Sequence, residues 1–130
     1  MIAAIGLDIV DIAGFAEQLA DKASIFAHSV FTDGERRAAQ ANGNPAAHLA
    51  VRWAAKEAFV KAWASSRRGQ APALPSIDWR LIEVAADQWQ RPTLLLHGEV
   101  ARACGRPTLH LSLSHDGPTA AAIVIWEAAS

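Results

Sequence analysis

Two acids and a lysine carry the chemical interest of this 130-residue chain. Asp8 ends an apolar N-terminal run in Gly6-Leu7-Asp8-Ile9-Val10-Asp11, and Glu57 and Lys61 lie in Trp53-Ala54-Ala55-Lys56-Glu57-Ala58-Phe59-Val60-Lys61-Ala62-Trp63. The neighbours of both acids are largely apolar, so neither reads as solvated surface. Carboxylates so placed suit a hard cation such as Mg2+, which prefers oxygen ligands, keeps several waters and commonly accompanies phosphate. Taken singly, the residues also have plainer readings. On a helix Trp53, Glu57 and Lys61 share one face, and Glu57 with Lys61 at i, i+4 makes an ordinary surface ion pair. Asp8 could cap the turn after a strand, with Asp11 the better cap.

A second group lies further along. His115 opens the turn Ser114-His115-Asp116-Gly117 at the end of an alternating strand, where side chains converge on ligands. Ser114 and His115 are adjacent on that strand and point to opposite faces, which argues against a nucleophile and its base. Arg52 and Lys56 are like charges four apart on a helix, a local penalty that an anion or an acidic neighbour would relieve.

The elements that must position these groups follow from periodicity. Ile2 to Val10 reads as a strand with Ile5, Leu7 and Ile9 on one face and Gly6, Asp8 and Val10 on the other. Asp11 caps a helix carrying Ile12, Phe15, Ala16 and Leu19, and Ser24 starts a shorter turn through Phe26 and Val30. Thr32-Asp33-Gly34-Glu35 has capping-box spacing. Asn44-Pro45 caps the main helix, expected to run to about Ala64 before the polar breaker Ser65 to Pro72. Strands are expected from about Ile77 to Ala85 and from Thr93 to His97, with a helical turn over Val100 to Cys104 ended by Gly105. Thr108 to Ser114 and Thr119 to Trp126 form a hairpin about Asp116-Gly117. Antiparallel strands interleaved with helices make a small single domain of α+β class, covering residues 1–130.

Composition narrows the function. Hydrophobic residues make up 52% and charged residues 19%, which favours an ordered globule with room for an apolar interface between subunits. A net charge of −1 with dispersed basic residues is no footprint for nucleic acid. The single cysteine, Cys104, forms no internal disulfide, and with no Cys/His cluster zinc lacks its usual ligands, so the cytosol suits the chain. Met1 to Ile5 is apolar without a basic leader and does not read as a secretory signal, and no apolar run approaches a membrane span.

Gly6 to Val10, Phe31-Thr32-Asp33-Gly34-Glu35, Arg52 to Ala62 and Leu113-Ser114-His115-Asp116 occur in an order and spacing that resembles the holo-acyl-carrier-protein synthases, the AcpS-type 4'-phosphopantetheinyl transferases. The resemblance spans nearly the whole chain and is most specific around Lys56, Glu57 and Lys61. Phe15 to Gln18, Gly34 to Arg37 and Lys61 to Trp63 look like actinobacterial members.

The resemblance implies the 4'-phosphopantetheinyl transferase fold and an enzyme of fatty-acid and lipid metabolism. Such an enzyme moves the 4'-phosphopantetheine arm of coenzyme A onto a serine of an apo acyl carrier protein, releasing adenosine 3',5'-bisphosphate. By the same match Asp8 and Glu57 hold Mg2+, Lys61 assists at the phosphate, and Arg52, Ser114 and His115 contact coenzyme A. A homotrimer with active sites between subunits is also implied. Members often carry basic residues on the first helix for the carrier, where this chain has Ile12-Ala13-Gly14-Phe15, so docking is expected to differ or to lean on other cations such as Arg36, Arg37, Arg67 or Arg68. The expected acceptor is then a carrier domain of a large fatty-acid synthase rather than a free carrier protein. The competing readings are a catalytically idle coenzyme A or nucleotide-binding module and a Mg-dependent phosphohydrolase.

Overall fold

In the computed structural model, residues 1–129 are described. Three strands, β1 (Ile2–Asp11), β4 (Thr108–Asp116) and β5 (Thr119–Glu127), form an antiparallel sheet in the order β1-β5-β4. The hairpin between β4 and β5 turns at Gly117, whose φ of +54° favours glycine. A separate two-stranded sheet pairs β2 (Ile82–Ala86) with β3 (Pro92–Leu96). Among the described residues five α-helices complete the α+β fold: α1 (Ile12–Ala20), α2 (Phe26–Val30), α3 (Asp33–Gln40), α4 (Pro45–Ser66) and α5 (Gly98–Ala103).

The 22-residue α4 is the spine of the molecule. Asn44 caps it, its Oδ1 accepting from the Ala47 amide at 3.2 Å, and Pro45 stands in the first turn. Ala54, Ala55, Ala58 and Ala62 are fully buried where the helix crosses the sheet. Their small side chains let the backbones approach so closely that a Cβ on Gly6 would stand 1.9 Å from the Ala58 carbonyl oxygen. Gly6 therefore fixes how near β1 comes to α4.

Two clusters pack on this spine. Phe59, Trp63 and Trp126 join Val124, Ile82 and Val100 in one, and Phe15, Phe31, Ala50 and Val51 form the other, with Phe26 and Trp53 packed edge-on. Each large side chain so buried contributes about 1.5–3 kcal/mol.

The alternation expected of β1 holds, with an unusual result. Gly6 and Asp8 face α4 and are buried, whereas Ile5, Leu7 and Ile9 are 54%, 55% and 65% exposed. The strand thus turns its polar residue inward and its large apolar residues outward.

Local capping follows the sequence. Asp11 Oδ2 accepts from the Gly14 amide at 2.9 Å, and the Thr32/Glu35 box closes with bonds of 3.1 and 2.8 Å. Four boundaries differ from expectation by two residues or more; one is the end of β4, which runs on through Asp116, so that His115 lies within the strand and does not open the turn. The strand placed at Ile77 begins only at Ile82, because Asp78 caps a 3-10 turn over Trp79–Leu81 by accepting from the Arg80 amide at 3.1 Å. Helix α4 continues through Ser65 and Ser66, the Ser66 hydroxyl donating to the Trp63 carbonyl at 2.6 Å. The turn near Val100 is the six-residue α5, starting at Gly98. Among the described residues no helix is long and apolar enough to cross a membrane.

Candidate active site

The crossing of β1 and α4 brings Asp8, Glu57 and Lys61 together. Asp8 sits on the inner face of β1 opposite Ala122 of β5 and is 7% exposed. Lys61 reaches it from α4, its Nζ donating to Asp8 Oδ1 at 2.8 Å and to the Leu7 carbonyl at 3.1 Å. This corrects one expectation: the lysine's ion pair is with Asp8 on the strand, not with Glu57 at i, i+4. The bond to Asp8 raises the Lys61 pKa, keeping the ammonium charged.

Glu57 lies half-buried one turn before Lys61. Burial first, then hydrogen bonding to Asp8 and repulsion from its charge, push the Glu57 carboxyl up to about 8, while Lys61 pulls the other way. At neutral pH Glu57 therefore holds a proton against Asp8, as like carboxylates in one site do. Asp8 Oδ2 is buried, without an amide, hydroxyl or cationic donor.

A buried carboxylate oxygen with only a neighbouring carboxyl's proton to meet it belongs to an oxygen pair short of a cation, and it fits Mg2+ with water completing the shell. Among the described residues no cluster of three or more His, Cys, Asp or Glu is formed.

The other candidates lie elsewhere. Arg52 and His48 on α4, Asn42 and Gln90 line two adjoining cavities of about 660 and 430 Å³; α3 and β2 wall the first, and β4 with Ser114 and His115 walls the second. The four shared residues make them one continuous groove. Arg52 and Glu57, five residues apart, project about 140° apart around α4. The groove and the acid pair are thus on different sides of the helix: one protomer does not gather Arg52, Ser114 and His115 with Asp8 and Glu57. Burial and the charge of Arg52 lower His48 to about 4, so it lines the groove as a neutral ring.

The penalty between Arg52 and Lys56 is relieved by an acid that sequence reasoning saw only as a cap. Lys56 is fully buried, its Nζ donating to the Val30 carbonyl at 2.7 Å, Glu35 Oε1 at 2.8 Å and the Trp79 carbonyl at 3.0 Å. All three ammonium donors are satisfied, the condition for burying a lysine. Glu35 also accepts from the Thr32 amide at 2.8 Å and, through Oε2, from the Val84 amide at 2.9 Å. The signal was present as two like charges asking for an anion; the partner was too far away in sequence to identify.

Of the four cations considered for docking, Arg36 is engaged with Asp33 on its own helix and Arg67 donates to the Ala71 carbonyl at 3.0 Å. Arg37 and Arg68 are exposed. The outer residues of α1, Ala13, Gly14, Glu17 and Gln18, include no base.

Residues 4–124 match the model of the 4'-phosphopantetheinyl transferase superfamily. The chain is 50% identical over 127 residues to the holo-[acyl-carrier-protein] synthase of Mycobacterium ulcerans (strain Agy99), covering 97% of both chains. It is 49% identical over 128 residues to that of Mycobacterium tuberculosis (strain ATCC 25618 / H37Rv), covering 98% of both. Among solved structures, the Chronobacterium ammoniagenes ACPS-CoA complex superposes with a TM-score of 0.92 at 43% identity, over 97% of each chain. The acyl carrier protein synthase of Mycobacterium tuberculosis does so with a TM-score of 0.82 at 45% identity, over 99% of this chain and 100% of that one.

Proposed function

The chain belongs to the 4'-phosphopantetheinyl transferase superfamily, and from that membership we propose that it is a holo-[acyl-carrier-protein] synthase. It transfers 4'-phosphopantetheine from coenzyme A to a serine of an apo acyl carrier protein or of a carrier domain of a fatty-acid synthase. The observation that carries this reading is the convergence of Asp8, Glu57 and Lys61 at the crossing of β1 and α4.

Asp8 and Glu57 are the residues that would hold Mg2+. When bound, the ion neutralises the pyrophosphate and polarises the phosphorus under attack. Lys61, charged and half-exposed, adds its ammonium beside the phosphate and the departing oxygen. Asp8 Oδ2 is the protein acceptor at hand for the serine proton, and Glu57 becomes a second one once it has released its own. The new serine O–P bond replaces the P–O bond to adenosine 3',5'-bisphosphate, and the arm leaves on the carrier.

Arg52, Ser114 and His115 would hold the phosphates of coenzyme A in the groove. Because that groove faces away from the acid pair, a complete site needs a second copy, its groove set against the first copy's carboxylates. The exposed apolar face of β1, with Ile123 of β5, supplies a surface for such an assembly, and a homotrimer is the form the family resemblance implies. Acceptor docking would draw on Arg37 and Arg68. The lone thiol, Cys104, fits a cytosolic protein.

Incubation with coenzyme A, Mg2+ and an apo carrier domain, read by intact mass, tests the reading. Gain of one phosphopantetheine is expected. Coenzyme A consumed without that gain would make the protein a phosphohydrolase, and coenzyme A bound but unchanged would make it an idle binding module.

A further inference from the structure

Glu35 stands where three walls of the groove meet. It belongs to α3, its Oε1 holds Lys56 of α4, and its Oε2 holds the amide of Val84 on β2. Gly34, Glu35 and Ala38 of α3, His48 and Arg52 of α4, and Glu83, Val84 and Ala85 of β2 all line the same cavity. Few other polar ties span these elements. Thr32, just before α3, donates to Glu83 Oε2 at 3.0 Å, and Glu83 Oε1 lies 2.9 Å from His97 Nε2. The Glu35 carboxylate is the part of this network that is fully enclosed, at 2% exposure for the residue, and among the described residues it is the member that grips α4.

The Arg52 side chain emerges one turn before Lys56, and Glu35 is close enough that its charge stabilises the Arg52 cation against burial. One carboxylate therefore ties Lys56 of α4 to an amide of the facing strand, with Arg52 one turn before Lys56 on the wall of the same cavity. A bond of this kind does not loosen by degrees, because a buried ammonium left without its carboxylate has no water to turn to.

We propose that Glu35 is a positioning residue for donor binding: by clasping Lys56 and the Val84 amide it sets the spacing between α4 and β2 and holds Arg52 at the angle that meets the donor's phosphate. It touches neither donor nor metal and acts through Arg52. The inference rests on the proposed coenzyme A site.

Two variants test it. Glu35→Asp keeps the charge but withdraws the carboxylate by about 1.5 Å, so it cannot span both partners. Glu35→Gln combined with Lys56→Met removes the charge pair together and leaves an amide oxygen for Val84. Coenzyme A affinity is measured by calorimetry below each melting temperature, alongside Mn2+ affinity at the Asp8/Glu57 pair by electron paramagnetic resonance. The expected result in both is a coenzyme A Kd raised about tenfold, as a displaced positioning contact produces, with Mn2+ affinity within twofold of wild type. Conversion of Arg52→Met should then add little further loss in the Glu35→Asp background. An unchanged coenzyme A Kd in the folded Glu35→Asp protein overturns the proposal, and so does an equal loss of coenzyme A and Mn2+ binding, which marks general loosening. Failure of the wild-type protein to bind coenzyme A at all overturns the underlying functional reading instead.

Discussion

Lys61 Nζ lies 2.8 Å from Asp8 Oδ1, a residue 53 positions away, although helical spacing offers it Glu57 a single turn back. The choice leaves Glu57 without a cation bonded to it, and burial first, then the neighbouring Asp8, keeps it protonated near neutrality. Much of the protein's expected behaviour follows from that.

Metal binding should release a proton. Glu57 titrates at about 8 in the folded, metal-free chain, and a bound cation requires its anionic form. Apparent Mg2+ affinity should rise with pH up to about 8 and level off above it. Calorimetry in buffers of different ionisation enthalpy should find close to one proton released at pH 7 and almost none at pH 9; a pH-independent value would contradict the Glu57 assignment.

The same group sets a pH dependence of stability. Its folded pKa lies above its unfolded one, so the folded chain holds a proton that the unfolded chain has lost between pH 4.5 and about 8. Stability from this group is present below pH 4.5 and is lost as pH rises towards 8. In chelator the melting temperature should fall across that window, and Glu57→Gln should flatten the slope.

Asp8→Asn removes the charge that repels a Glu57 carboxylate. Transfer activity should drop about 10²–10³-fold, the scale for losing one electrostatic contact to developing charge. The Glu57 pKa should fall below 8 yet stay above 4.5, because burial, its largest cause, remains. Side-chain NMR titration checks this, and an unmoved pKa would mean that the two carboxyls do not interact.

Gly6→Ala should be among the most damaging single changes. The added Cβ meets the Ala58 carbonyl at 1.9 Å, and a helix backbone on a sheet cannot step aside. A loss of about 4 kcal/mol or more, or no soluble protein, is expected. Urea denaturation measures it; a loss under 1 kcal/mol would mean that α4 and β1 are free to separate.

Ile5→Lys and Ile9→Lys place charge on the outward face of β1, outside both buried clusters. The protomer should keep its circular dichroism spectrum while light scattering reports a smaller assembly, and transfer activity should fall with it. An unchanged oligomer would remove this face from the interface.

Arg36→Glu with Arg37→Glu should raise KM for the carrier and leave KM for coenzyme A unchanged. Arg37 should account for most of the effect, since Arg36 is already engaged with Asp33. Equal changes in both constants would refute selective docking.

The elements were legible in the sequence because their signals are local. Asp11, Thr32 and Asn44 cap as their spacing requires, and the faces of β1 alternate as read. The α+β class and the candidate residues followed from such short-range patterns together with the order of the motifs. The misplaced start of β2 was also local in origin: Asp78 competes for the chain with its own side chain, a choice that a run of apolar residues does not reveal.

What only the tertiary structure decided is which charges meet. Helical spacing proposed Glu57 for Lys61, but the absence of a side chain at Gly6 brings β1 onto α4 and delivers Asp8 instead. Glu35 was visible as the end of a capping box, yet its second role as partner of Lys56 depends on α3 packing beside α4. The sequence could name Arg52, Ser114 and His115; it could not place them across the helix from Asp8 and Glu57. Secondary structure is written in contacts a few residues apart, whereas an active site is made by contacts whose sequence separation carries no signal, and these form only when the core closes.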